Sequence, residues 1–153
     1  MGFIKPLNGL KDKTVFINQL SKNEKQALMS LLVDISKADG NLADSEINFL
    51  TAYAEENNIE LNLSETPSIS EVCNKIESKK GKVVAIQEII KLAIVDGNYD
   101  DSERSGAMTI SELLKLPLSK FEEIESWVLD GEHWVNRGIQ MLADAGFSMP
   151  NEM

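Results

Sequence analysis

An all-α fold follows from three features of the sequence. Apolar residues recur at three- and four-residue spacing in nearly every segment. Those segments open on helix-capping residues and close on glycine or proline. No stretch alternates apolar and polar residues over strand length. The expectation is a bundle of seven to eight helices in which two helical hairpins form pseudo-symmetric halves.

The elements follow in order. Ser21-Lys-Asn-Glu24 is a capping-box pattern, in which each side chain satisfies the other residue's free backbone N–H. Leu28, Leu31, Leu32 and Ile35 follow at helical spacing, predicting a helix over about 22–38. Gly40 and Asn41 tolerate the left-handed backbone that stops it. Asp44 is expected to cap a helix over about 45–57, with Ile47, Leu50 and Ala54 inward. A loop closed by Pro67 leads to Ser68 and Glu71, a second capping-box pattern that opens a short helix to about 79. Gly81 is expected to break the chain before the most apolar helix, about 82–95, which should be central. Gly97 and Asn98 end it, and Asp101 is expected to cap a helix over about 102–115, terminated by Pro117. Ser119 and Glu122 open another helix, with Phe121, Ile124 and Val128 inward and Gly131 at its end. A final helix over about 132–145 closes at Gly146. Trp127 and Trp134 are expected to pack these last two helices together.

A chain of 153 residues is long enough to bury a core as a single domain, 1–153. Its expected parts are a basic leader over 1–20, a repeat-containing core over 22–130, and a C-terminal helix and tail over 131–153. The net charge of −10 argues against nucleic-acid binding, which needs a basic footprint. It is compatible with a bound cation, a basic protein partner or simple solubility. Cys73 is the one cysteine, so an internal disulfide and a multi-cysteine metal site are excluded. With Ile69, Val72 and Ile76 on its expected helix face, it reads as a buried, inert thiol. No apolar run approaches the roughly 20 residues that span a bilayer, and Lys5, Pro6, Asn8 and Lys11 interrupt any signal-peptide segment. A cytoplasmic protein is expected. Residues 1–25 carry +3 and the remainder −13. A basic leader bearing Phe3, Ile4, Leu7 and Leu10 suits a membrane surface or another protein, or packs weakly on its own domain.

The sequence writes one phrase twice. "ADGNLADSE" at 38–46 returns as "VDGNYDDSE" at 95–103, 57 residues on. The same shift places Leu32, Val33 and Ile35 on Ile89, Ile90 and Leu92, and Glu55 on Glu112. Two hairpins of the same grammar suggest halves that complete each other's buried face. Asp44, Glu46, Asp101 and Glu103 fall at expected helix N-termini, where capping and the helix dipole both favour negative charge. Asp39 and Asp96 fall at helix C-termini, where a carboxylate is disfavoured. Two readings offset that cost: an Asx-type turn, or a cation held between Asp39 and Glu46 and likewise between Asp96 and Glu103. An EF-hand does not fit, because the sixth position is Asp44 or Asp101 instead of glycine. The twelfth is Leu50 or Ala107 instead of glutamate. Any site is an oxygen-ligand site of another kind, suited by ligand hardness to Ca²⁺ or Mg²⁺.

With these two phrases inside matching apolar helices, the chain resembles the tellurite-resistance TerB family and its TerB-like relatives over about residues 22–130. The resemblance implies an all-helical fold of two pseudo-symmetric halves, no established enzymatic activity and a place in stress-response systems, sometimes near the membrane. It also implies a divalent-cation site. In this sequence that site would comprise Asp39, Glu46, Asp96 and Glu103, with Asp44 and Asp101 as neighbours. The segment from Gly131 onward lies outside the matched part.

Enzyme chemistry finds little footing. His133 is the single histidine and has no partner set, the glycines form no phosphate-binding pattern, and no serine sits in a nucleophile elbow. The expectation is a non-enzymatic, acidic helical protein that binds divalent cation through the repeated loops and acts in a tellurite or chemical stress response. It is expected in the cytoplasm, with a peripheral place at the inner membrane face and protein partners. The alternative is a metal-free interaction module with an acidic docking surface.

Overall fold

In the computed structural model of this chain, residues 16–37, 42–64, 67–95 and 99–146 are described. They form a 3-10 turn, Ile17–Gln19, and six α-helices: α1 (Lys22–Ser36), α2 (Asp44–Glu56), α3 (Ile69–Asn74), α4 (Lys79–Val95), α5 (Asp101–Leu113) and α6 (Leu118–Asp144). No strand occurs among the described residues. The secondary structure of the described residues is all helical, as the periodicity predicts.

Two glycines do not act as the breakers they were expected to be. Gly131 lies inside α6, which runs unbroken through both expected C-terminal helices. Each glycine costs a helix about 1 kcal/mol relative to alanine, and the other 25 helical residues carry both Gly131 and Gly138. Trp127 and Trp134 therefore share one helix and do not join two; both are exposed. Gly81 lies in the first turn of α4 instead of preceding it.

α4 is the central element, as its composition predicts. Val84, Ala85, Ile86, Ile89 and Ile90 are buried, and the helix packs against α1, α5, α6 and the 3-10 turn. Leu28, Leu31, Leu32, Leu50 and Ala54 line the core with Phe121, Ile124 and Val128. Val72, Cys73 and Ile76 are buried, whereas Ile69 is exposed at the start of α3. Burial pushes the Cys73 thiol up, so it is inert at neutral pH. Ile17 and Leu20 are buried as well, so the core begins inside the expected leader.

The N-termini of α1 and α4 are tied by one carboxylate. Ser21 and Glu24 form the capping box: Ser21 Oγ accepts the Glu24 N–H at 3.1 Å, and Glu24 Oε1 accepts the Ser21 N–H at 3.1 Å. The other oxygen, Oε2, accepts the Ser78 N–H at 3.1 Å and the Ser78 hydroxyl at 2.8 Å. Ser78 Oγ in turn accepts the Gly81 N–H at 2.9 Å, capping α4. A Cβ on Gly81 would lie 2.4 Å from Glu24 Oε2, so glycine stands there to admit the carboxylate.

Candidate functional site

The acidic phrase has a different local structure from the one its spelling suggests. Helix α2 begins at Asp44 and α5 at Asp101, so these aspartates are the first helical residues. The N-caps are Ala43 and Asp100, one position earlier. Asp100 Oδ1 accepts the Glu103 N–H at 2.9 Å, the bond that caps α5. Ala43 has no side-chain acceptor; there Glu46 reaches back, its Oε1 accepting the Ala43 N–H at 3.0 Å. The shared feature is a glutamate three residues past each cap. Asp44 and Asp101 are exposed and contribute charge at the positive helix end.

These caps face a cleft of about 560 Å³ bounded by the C-terminal turns of α1 and α4 and the N-terminal turns of α2 and α5. Its lining draws on equivalent positions of the repeat: Leu32 with Ile89, Ile35 with Leu92, Ser45 with Ser102, and Glu46 with Glu103. Each pair is separated by 57 residues. Ala43 and Asp100 form a further pair, unlike in chemistry, and Phe49 and Tyr99 close the apolar walls. The cleft thus brings Glu46 and Glu103 to one space, both half-buried. Asp44 and Asp101 are not among its lining residues. Asp39 and Asp96 lie outside the described residues. Among the described residues, no three His, Cys, Asp or Glu side chains are grouped to hold a metal.

Two polar clusters near the cleft escaped the reading of the sequence. In the first, Glu88 on α4 is 2% exposed. Its Oε1 accepts the Tyr53 hydroxyl of α2 at 2.8 Å, and Lys91 Nζ stands 3.6 Å from Oε2. Burial raises the Glu88 pKa, only partly opposed by Lys91 and Tyr53, and burial likewise lowers that of Lys91. In the second, Glu125 on α6 receives a two-pronged contact from Arg104 on α5, Nε to Oε2 at 2.6 Å and an Nη to Oε1 at 3.1 Å. The hydroxyl of Tyr99, a cleft-lining residue, donates to the same Oε2 at 2.5 Å. Burial would raise Glu125, but the Arg104 and Tyr99 hydrogen bonds outweigh it and hold the carboxyl below its usual range. Both clusters pin helices that bound the cleft. A periodicity argument finds neither, because the partners stand 35 and 21 residues apart.

His133 is exposed within α6. No helix among the described residues is long and apolar enough to cross a membrane. Comparison with protein families, with curated proteins and with solved structures finds no match for this chain.

Proposed function

We propose that this chain is a non-enzymatic, acidic, TerB-like helical protein that binds a divalent cation, Ca²⁺ or Mg²⁺, in the cleft between two pseudo-symmetric halves. The observation that carries this reading is the convergence of Glu46 and Glu103, equivalent residues of a repeated phrase, on one cleft. The donors there are hard oxygens: two glutamates, Asp100, and the hydroxyls of Ser45 and Ser102. The C-terminal turns of α1 and α4 also border the cleft, and their negative dipole ends favour a cation. Asp39 and Asp96 follow those two helices in sequence, at the places where charge is otherwise disfavoured. They would complete the ligand set, with Asp44 and Asp101 adding surrounding negative potential. A role in a tellurite or chemical stress response, in the cytoplasm and peripheral to the inner membrane face, rests on the family resemblance. Calorimetric titration with Ca²⁺ and with Mg²⁺ tests the binding step. Saturable heat lost in the Glu46→Gln, Glu103→Gln double variant supports it, and absence of heat with both ions refutes it.

A specific observation favours a second reading. Glu46 and Asp100 each already accept a helix-start N–H, so capping accounts for both carboxylates without a metal. On that reading the chain is a metal-free module whose acidic surface docks a basic protein partner.

A further inference from the structure

The distal half of α6 presents an apolar stripe that, past Trp127, is buried by none of the described residues. Phe121, Ile124 and Val128 bury the first part of the helix, and no residue past Val128 is buried. Trp127 (42% exposed), Trp134 (57%) and Met141 (63%) recur at seven-residue spacing, which places them on one face. Gly131 and Gly138 lie between them on the same face, and a Cβ at either meets nothing within 4 Å. Val135, Ile139 and Leu142 widen the stripe on the side that continues from the core. Asp130 and Glu132 flank the stripe on its two edges, and His133, Arg137 and Asp144 lie farther round the helix.

We propose that this stripe is the docking face for the chain's own first fifteen residues. The first observation is continuity: Phe16, the residue that follows that segment, stacks on Trp127 at 6.0 Å, at the head of the stripe. The second is reach. From Trp127 to Met141 the helix rises about 21 Å, which fifteen residues span whether helical (about 22 Å) or extended (about 50 Å). The third is composition. Residues 1–15 supply Phe3, Ile4, Leu7 and Leu10 for the apolar stripe, and Lys5, Lys11 and Lys13 against Asp12. The distal half of α6 has Asp130, Glu132 and Asp144 against Arg137, so the charges are complementary. A second copy of the chain would instead bring like-charged helices together. This inference is independent of the cation reading.

The test uses the full chain with Cys73→Ala and a spin label at Asn8→Cys. Docking predicts strong broadening of the backbone amide signals of residues 131–142 in dilute buffer. It also predicts that trypsin cleaves after Lys11 and Lys13 roughly tenfold faster in the Trp134→Asp, Met141→Asp double variant, as cleavage follows the population of the open form. Both substituted residues are exposed, so the core is untouched. Three results overturn the proposal: no broadening and equal cleavage rates, broadening only between labelled and unlabelled copies in a mixed sample, or protection that needs phosphatidylserine vesicles.

Discussion

Glu24 Oε2 accepts both the N–H and the hydroxyl of Ser78, 54 residues away, and so fastens the start of α1 to the start of α4. Gly81 leaves the room for it: a Cβ there would meet Oε2 at 2.4 Å, Ser78 Oγ at 2.7 Å and Glu24 Cδ at 2.8 Å. Helix propensity favours alanine at that position by about 1 kcal/mol, but overpacking against a carboxylate fixed by three hydrogen bonds costs about 1–3 kcal/mol. Gly81→Ala is expected to destabilise the protein in urea unfolding. In a Glu24→Ala background the cost should shrink without vanishing, because Ser78 Oγ still stands 2.7 Å from the added Cβ. Additive effects of the two changes would show that the close approach is not what selects glycine.

Glu24 and Glu88 should give opposite pH signatures. Burial would raise Glu24, but the bonds from Ser21 and Ser78 outweigh it and its pKa is lowered from 4.5. Its contribution is in place above 4.5 and is lost as pH falls through the lower folded value. Glu88 is raised by burial, so its contribution is in place below 4.5 and is lost as pH rises through the raised folded value. Glu88→Gln keeps an acceptor for Tyr53 and removes the buried charge. Relative to wild type it should gain stability as pH rises from 4.5 to the raised folded value and hold that gain above it, read from unfolding midpoints at each pH. A difference that stays constant over that interval would contradict the account.

The caps give a third prediction. Asp100→Ala removes an N-cap bond and should cost about 1 kcal/mol, while Asp44→Ala and Asp101→Ala should each cost only a few tenths. Ala43→Ser supplies the missing acceptor to a backbone already extended (φ −72°, ψ 156°) with Glu46 in place. It should stabilise by about 0.5–1 kcal/mol. Thermal melts of the four variants check the ranking. Equal losses at Asp44 and Asp100 would place the helix starts elsewhere.

Local chemistry made much of this fold legible, and long-range contacts explain what was missed. Ser21 closes the capping box its spelling predicts and Ser68 accepts the Glu71 N–H, whereas Ser119 lies inside α6, which starts one residue earlier behind Pro117. The caps at 43 and 100 were misread by one position because Asp-Ser-Glu recurs intact, while the residue doing the capping differs between copies. Gly81 was read as a breaker because the carboxylate that demands it comes from another helix. Glu88 and Lys91 interrupt an apolar run without visible cause until Tyr53 folds onto them. The equivalence of Glu46 and Glu103 was legible from the repeat, which pairs each with the aspartate of its own phrase; the cleft the two glutamates share needed the packing of four helices.

The central claim is that the repeated glutamates hold a cation in that cleft. Its most direct test is the melting temperature of wild type and of Glu46→Gln, Glu103→Gln, each with and without millimolar Ca²⁺ or Mg²⁺. Glutamine keeps a carbonyl oxygen for the Ala43 N–H, so the helix start survives the substitution. Because a ligand that binds only the folded state stabilises it by mass action, ion at roughly 100 times its dissociation constant should add about 2.7 kcal/mol to the wild type. The double variant should show none of that rise. A wild-type melting temperature indifferent to both ions would contradict the claim and leave the repeated phrase as two helix starts.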